Sequence, residues 1–252
     1  MTQKTFINHH YEMIRKSQTQ VIDKLDAELR FFRIYFDEKF SSIEIIYDTP
    51  NNLLTNAGIV LSKLYDGEKY FFRVRKQSYL PVELRKNAIK KYFISTCQPN
   101  HTPKDFPLQI ASAINDAFQN IFTIDLVDVV KQTIPKYEIK VKGDIYTLAS
   151  GNGMKGQLVF EKVIYKDFST GRKVKQNCVN LRLPEGDQFA KEKEEVIDAI
   201  DRKCKELLPY SENRFEIARR LLKPRVNNEK FDRKAFKQKI KEQSESEVEQ
   251  QI

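Results

Sequence analysis

One short segment constrains the fold more than any other feature of the chain. Residues 47–58 read Tyr-Asp-Thr-Pro-Asn-Asn-Leu-Leu-Thr-Asn-Ala-Gly, directly after an apolar and β-branched stretch over 40–47. Asp, Thr, Pro and Asn favour turns because each either restricts the local backbone or hydrogen-bonds to it. The segment therefore predicts the end of a strand, a turn, and the start of the next element.

Further strands are predicted on both sides of this segment. The dipeptide Asp66-Gly67 separates two alternating stretches, 59–65 and 69–76, and an Asp-Gly pair in that setting indicates a tight hairpin. Alternation and turn residues predict the remaining strands over 6–17, 87–96, 137–148, 156–166 and 173–183. The total of about eight strands suits a small closed barrel.

Helices are predicted where apolar residues recur at steps of three and four. Phe106, Ile110, Ile114 and Phe118 lie on one side of a helical stretch that begins at residue 102. Similar patterns predict helices over 19–36, 125–132, 191–207 and 213–222, and a charged helix over 230–248. Antiparallel hairpins with segregated helices define an α+β fold, here an antiparallel, closed or nearly closed β-barrel with helices packed outside.

Composition limits the class of protein. The 252 residues are 40% hydrophobic, which is sufficient for a core, and no apolar run reaches the length of a membrane helix. The first residues lack the apolar stretch of a secretory signal. Cys97, Cys178 and Cys204 form no closely spaced pair, which is typical of a reduced, cytoplasmic protein. We therefore expect a cytoplasmic protein without a membrane span.

The net charge of +9 is unevenly distributed. Residues 219–241 contain ten Lys and Arg residues against Glu229 and Asp232, and four glutamates follow over 242–249. This division predicts a folded domain over 1–222 and a charged tail over 223–252 that is helical or disordered. A basic segment suits an anionic partner such as a nucleic acid, although a charge run is also typical of a solvated helix.

Two segments together resemble the CYTH family, also called the triphosphate tunnel metalloenzymes. The first is Tyr47-Asp48-Thr49-Pro50, and the second is Glu12-Met13-Ile14-Arg15-Lys16, which is similar to the family's Glu-x-Glu-x-Lys strand. The resemblance implies a barrel that surrounds a triphosphate in a basic tunnel, and it implies Mg²⁺ or Mn²⁺ as cofactor if the protein is catalytic. The substrate would be a triphosphate-bearing small molecule, a nucleotide or polyphosphate.

The resemblance also assigns candidate site residues. It implies Glu12 and Glu161 as catalytic residues, and Glu12, Glu138 and Glu161 as metal ligands. The implied phosphate-binding residues are the basic ones at the family's tunnel positions: Lys16, Arg73, Arg75, Arg85, Lys140, Lys142, Arg182 and Arg214.

The chain departs from the family pattern at several acids and arginines. Ile14 replaces the middle acid of the first strand, and Asn180 and Arg182 stand where the family has a Glu-x-Glu pair. Lys63 is the only basic residue in the stretch where the family has two arginines. Because metal-dependent phosphoryl transfer requires carboxylate ligands, these losses predict weak or altered hydrolysis.

Three functions remain open on this evidence. The first is a divalent-metal-dependent triphosphate phosphohydrolase, and the second is a module that binds a triphosphate, polyphosphate or nucleotide without turnover. The third is nucleic-acid or partner binding through the basic tail. For Glu12 and Lys16, and for Arg73 and Arg75, the alternative is a solvated strand face with no ligand.

Overall fold

The computed structural model describes residues 6–14, 17–76, 91–118, 125–210 and 212–222, and of residues 91–94 only the backbone. Lys16, Arg85 and the tail over 223–252 lie outside these ranges. The strands are β1 (Phe6–Met13), β2 (Phe32–Asp48), β3 (Ile59–Tyr65), β4 (Tyr70–Lys76), β5 (Lys91–Cys97), β6 (Ile134–Ser150), β7 (Lys155–Asp167), β8 (Lys173–Pro184) and β9 (Leu207–Pro209). The helices are α1 (Gln18–Glu28), α2 (Leu53–Asn56), α3 (Pro107–Phe118), α4 (Leu126–Lys131), α5 (Ala190–Lys203) and α6 (Arg214–Leu222).

All nine strands belong to one antiparallel sheet. Their order is β5-β4-β3-β2-β6-β7-β8-β1-β9, so strands from both halves of the chain meet at the long β2–β6 ladder. Among the described residues no backbone pairing joins the edge strands β5 and β9. The expectation of an α+β antiparallel architecture is confirmed, whereas hydrogen bonds between the described residues do not close the sheet into a barrel.

The hairpin predicted at Asp66-Gly67 is confirmed, and its turn explains why. The carboxylate Oδ1 of Asp66 accepts hydrogen bonds from the backbone N–H groups of Glu68 and Lys69, at 3.0 and 2.9 Å. Gly67 has φ of +111°, a conformation that residues with a Cβ rarely adopt. Helix α4 is also confirmed, with Asp125 as its N-cap.

The helix predicted over 19–36 is wrong beyond residue 28. Ser17 begins α1 with a capping box, and Leu29 ends it. The chain enters β2 at Phe32, in a stretch of aromatic and β-branched residues that reads Phe-Arg-Ile-Tyr-Phe. These residues favour a pleated surface, and sixteen of the seventeen residues of β2 pair along β6, with Asp37 skipped at a bulge. The helix predicted over 191–207 likewise ends at Lys203, because Leu207 joins β9.

The sheet has two faces with different coverings. We call the inner face the one that carries Glu44, Ile139, Val163 and Asn180, and α6 packs on it through Phe215 and neighbouring apolar residues. On the outer face, α1 and α5 cover one end of β7 and β8, while α2, α3 and α4 cover β3 and β4. Among the described helices, none combines the length and the apolar character needed to cross a lipid bilayer.

Candidate anion-binding site

The turn that constrains the fold is held by a buried carboxylate. Asp48 is 2% exposed and accepts hydrogen bonds from the backbone N–H groups of Thr49, Leu54 and Thr55, at 2.7, 2.9 and 3.0 Å. Asn52 starts the short helix α2 with φ of +59°, in the left-handed region. The Tyr47–Gly58 segment therefore determines how the chain turns at the end of β2. The Asp48 carboxylate within it stabilises the backbone of this turn.

Strand pairing decides which candidate residues share the inner face. Residues directly opposite each other in neighbouring strands project to the same side of a sheet. Cys178 lies opposite Glu161 on one side and opposite Glu12 on the other. The two predicted catalytic acids are therefore on the inner face, with β8 between them.

One cluster on this face joins β2 to β4. Glu44 accepts hydrogen bonds from the guanidinium groups of Arg73 and Arg75, and its oxygen Oε1 lies 2.6 Å from Nη2 of Arg75. Burial disfavours the charged form of Glu44, but the positive charges of Arg75 and Arg73 outweigh this and lower its pKa to about 2. The inward orientation predicted for both arginines is therefore seen, with a carboxylate already between them.

A second cluster joins β7 to α6. Nη2 of Arg214 lies 2.6 and 2.7 Å from the two oxygens of Glu161, whose side chain is 1% exposed. Burial opposes the charge on Arg214, but the Glu161 carboxylate outweighs it and raises the pKa of Arg214. Asn213 precedes this helix and accepts from the N–H groups of Phe215 and Glu216 at 3.0 Å, which fixes the position of Arg214 at the start of α6.

A cavity connects the two clusters. Its volume is about 150 Å³, which is enough space for several water-sized groups. Glu44 and Arg73 line it from one side and Arg214 from the other, and Asp66 lies among its lining residues. Residues from β2, β4 and α6 thus surround one space, although no backbone pairing closes the described sheet.

Arg182 extends the inner face toward β1. It is opposite Gln157 and donates to the side-chain oxygen of that residue at 3.3 Å. Burial is the main cause that lowers the pKa of Arg182, partly offset by Glu161. Asn180 lies two residues before Arg182 in β8. It is 5% exposed and hydrogen-bonds to His10. Arg182 therefore shares the inner face with the Glu161–Arg214 cluster and interacts with it electrostatically.

Glu138, Lys140 and Lys142 take the opposite side of the sheet. Glu138 is opposite Ile45 and Lys142 is opposite Ser41, so all three side chains project from the outer face. Lys140 and Lys142 are exposed, and Lys140 pairs with Glu138 at 3.3 Å. The alternation that places them on one face was correct, but that face is not the one that carries Glu161. Lys16 and Arg85 lie outside the described residues.

The described acids do not fit a divalent metal. Glu12 and Glu161 are two strand spacings apart, roughly 10 Å between backbones, and Glu161 is engaged by Arg214. Cys178 lies between them, and burial raises its pKa to about 12, so it is a neutral thiol. Among the described residues, no three His, Cys, Asp or Glu side chains converge as metal ligands. Mg²⁺ and Mn²⁺ require several oxygen ligands around one point, and the described acids do not provide them.

Two contributors to the site were not identified from the sequence. The sequence does contain a pattern that could have identified Glu44. It is an acid within the otherwise apolar stretch Ile43-Glu44-Ile45-Ile46, so it is either buried with partners or on a polar face. His10 contacts Asn180, and burial lowers its pKa. Its position beside an inner-face residue depends on a pairing between β1 and β8 that no local pattern indicates.

The fold matches solved structures of low sequence similarity. A putative adenylyl cyclase from Hippeastrum, described as having a dominant triphosphatase activity, is 11% identical, with a TM-score of 0.55 over 89% of this chain and 100% of that one. A putative adenylate cyclase from Bacillus halodurans is 11% identical, with a TM-score of 0.45 over 86% of this chain and 98% of that one.

Sequence comparison adds no further relative. No protein-family model matches the chain, and no curated protein sequence matches it significantly. The structural likeness concerns the arrangement of strands and helices and not the side chains of the site, because the identity is too low to align individual roles. The resemblance inferred from the Tyr47–Gly58 and Glu12–Lys16 segments is thus confirmed at the level of the fold, which the chain shares with the Hippeastrum protein.

Proposed function

We propose that this protein binds a triphosphate-bearing anion on the inner face of its sheet, with weak hydrolysis or none. The observation that carries the proposal is the convergence of Arg73 and Arg214 on one cavity, from elements that are about 140 residues apart in the chain. Arg75 is connected to this cavity through its ion pair with Glu44, which lines it. The Hippeastrum protein of similar fold supports this ligand class through its described triphosphatase activity.

The arginines retain donors that an anion can use. Nε of Arg73 and Nε of Arg75 are buried and have no hydrogen-bond partner among the described residues. A buried donor without an acceptor costs about 1–3 kcal/mol, so a ligand oxygen that accepts from it gains that free energy. Phosphate oxygens are well suited because guanidinium groups can bind them through paired N–H donors.

Two carboxylates limit the affinity of the site. Glu44 and Glu161 already pair with three of the inner-face arginines and offset two of their three positive charges, and Glu12 lies on the same face. An entering anion therefore has to share these arginines with the carboxylates or displace them. This exchange favours an anion with several charges, such as a triphosphate, over a singly charged one. The absence of a fitting acid cluster in the described part of the chain is our reason for proposing weak hydrolysis.

Thermal unfolding with tripolyphosphate tests the proposal. At a ligand concentration one hundred times Kd, binding to the folded state adds about 2.7 kcal/mol to the free energy of unfolding. Replacement of Arg73 and Arg75 by Gln, with Glu44→Gln to keep the cluster uncharged, is expected to remove this stabilisation. Arg30→Gln, at an exposed position, lowers the net charge by the same one unit, so it is the matched control and is expected to retain it.

A hydrolysis assay on the same samples separates binding from turnover. Phosphate release from tripolyphosphate, ATP and thiamine triphosphate is measured with Mg²⁺ and with Mn²⁺, for the wild type and for Glu12→Ala. We expect ligand stabilisation with little or no release. Release that is rapid and lost in Glu12→Ala would establish a metal-dependent phosphohydrolase, and the absence of any stabilisation would refute anion binding.

A further inference from the structure

The outer face of β6, β7 and β8 carries a compact group of lysines that the proposed site does not use. We call it the lysine face, and it consists of Lys140, Lys142, Lys162, Lys166, Lys173 and Lys175. Strand register arranges these residues around a central Ile164, which lies between Lys140 and Lys175 in one row. The rows on either side contain Lys142 with Lys162, and Lys166 with Lys173.

The lysine face is open to solvent and poorly neutralised. Five of its six lysines are exposed, and the sixth, Lys166, lies over the ring of Phe168. Within these rows of the described strands, Glu138 is the one acid on this face, and it pairs with Lys140 at 3.3 Å. The local net charge is therefore about +5 over three adjacent strands.

This arrangement opposes folding stability. Lys142 is directly opposite Lys162, and Lys166 is directly opposite Lys173. Like charges at directly opposed positions of neighbouring strands are destabilising. Neighbouring rows are only about 7 Å apart and neighbouring strands about 4.8 Å apart, so the repulsion is shared among all six side chains. Binding of a polyanion would relieve it.

The chemistry of the lysine face selects among polyanions. Lysine offers a point charge without the planar geometry that reads base edges, so it suits contacts to backbone phosphates. Single-stranded nucleic acids are bound on stacked aromatic rings, whereas the strongly exposed aromatic residues of the described chain, Phe31, Tyr35 and Phe36, lie at the far end of the β2–β6 ladder. Peripheral membrane binding also uses inserted apolar groups, and the central Ile164 is half-buried.

We propose that the lysine face binds the phosphate backbone of double-stranded nucleic acid without sequence preference. This surface is separate from the inner-face site, and its occupancy does not depend on triphosphate binding. The basic segment over 219–241 is not among its residues, and the experiment below holds the contribution of that segment constant.

Salt-dependent binding to a duplex tests the proposal. The full chain is titrated against a fluorescent 20-base-pair duplex, as DNA and as RNA, between 50 and 200 mM salt. The lysine-face variant carries Lys142→Gln, Lys162→Gln, Lys173→Gln and Lys175→Gln. The control variant carries Lys104→Gln, Lys155→Gln, Lys191→Gln and Lys205→Gln, which are exposed elsewhere. Both variants lose the same charge and retain the basic segment.

The expected result is specific to the lysine face. Loss of four phosphate contacts is expected to weaken duplex binding at 100 mM salt by at least about a hundredfold, and to reduce the slope of log K against log salt by about 3 to 4. The control variant is expected to bind within about threefold of the wild type. Thermal unfolding of both variants confirms that they are folded.

Three outcomes would overturn the proposal. The first is equal weakening in the two variants, which would show a general charge effect. The second is binding of a single-stranded oligonucleotide as tight as that of the duplex and equally sensitive to the lysine-face variant. The third is lysine-face-dependent binding to phosphatidylserine vesicles without binding to the duplex, which would identify the surface as a membrane contact.

Discussion

Arg214 donates to both oxygens of Glu161, at 2.6 and 2.7 Å, and this ion pair ties the last described helix to the middle of the sheet. Glu161 is on β7 and Arg214 is the first residue of α6, so the pair fixes where that helix enters the inner face. The apolar residues that follow, from Phe215 to Leu222, then pack against β6, β7 and β8. The same arginine lines the cavity, so we expect both the stability of the fold and the proposed anion binding to depend on this side chain.

Removal of Arg214 is expected to destabilise the fold. Arg214→Met leaves the carboxylate of Glu161 buried without its partner, and because Arg214 is 36% exposed we expect a loss of about 2–3 kcal/mol in urea unfolding. Arg220→Met is the control on the same helix. It removes an exposed pair with Glu212 and should cost less than about 1 kcal/mol. Equal losses in the two variants would contradict a buried role for Arg214.

Acid is expected to destabilise the protein through Glu44. Its pKa is about 2 in the folded state and near 4.5 when unfolded, so the unfolded chain takes up the proton first as pH falls. The stabilisation is complete above pH 4.5 and is lost between pH 4.5 and 2, with a size on the order of 3 kcal/mol. Glu44→Gln should flatten the stability curve in this window. A variant curve parallel to that of the wild type would refute the assignment.

Glu44→Gln is also expected to strengthen anion binding. It removes the carboxylate that competes for Arg73 and Arg75 while it leaves both guanidinium groups in place. A charge-assisted hydrogen bond contributes about 1.5–3 kcal/mol, so tripolyphosphate should bind on the order of tenfold more tightly. Calorimetry at neutral pH measures this, at a temperature where the variant is folded. Weaker binding in the variant would show that Glu44 organises the arginines and does not compete.

Asp48 is expected to matter for stability and not for ligand binding. Asp48→Ala leaves three buried backbone N–H groups without an acceptor, so we expect a loss of at least about 3 kcal/mol in the free energy of unfolding. Asp66→Ala removes two similar hydrogen bonds at an exposed turn and should cost less than about 1 kcal/mol. The difference between the two variants measures the effect of burial, because both carboxylates accept hydrogen bonds from backbone N–H groups but only Asp48 is buried.

Tripolyphosphate binding is expected to persist without divalent metals. The cationic groups among the described residues that line the cavity are guanidinium groups, so EDTA should change the ligand-induced stabilisation by less than about 0.5 kcal/mol. Glu12→Gln serves as the companion variant and should bind as the wild type does. Binding that EDTA abolishes and Mg²⁺ restores, with a requirement for Glu12, would show that the acids assemble a metal site in the presence of ligand.

Local chemistry was sufficient to predict much of the fold. Asp66-Gly67 defines its own hairpin because the side chain and the glycine supply what the turn needs. Leu25 and Leu29 match a helical spacing that also continues to Phe32, so the periodicity could not locate the end of α1. The boundary depends on the ladder between β2 and β6, which joins segments about one hundred residues apart.

The site was harder to predict because a strand pattern does not state which face is inside. Alternation groups Lys140 with Lys142, and Arg73 with Arg75, by identical reasoning. In the structure, the lysine pair projects from the outer face and the arginine pair from the inner face. The register of their strands with β2, β3 and β7 determines which face each pair takes. Glu44 likewise meets Arg73 and Arg75 only because β2 and β4 both pair with β3. This strand order is known from the structure and not from any local sequence pattern.

The placement of α6 has a consequence for biosynthesis. This helix packs on the inner face of the sheet, yet residues 214–222 are translated after all nine strands, and Phe6 of β1 pairs with Pro184 of β8. A nascent chain that has emerged only as far as β7 lacks both the partner of its first strand and the helix that covers its apolar inner surface. Until then that surface is open to solvent and to other chains, so the ribosome-bound intermediate is the stage at which aggregation or chaperone binding is most favoured.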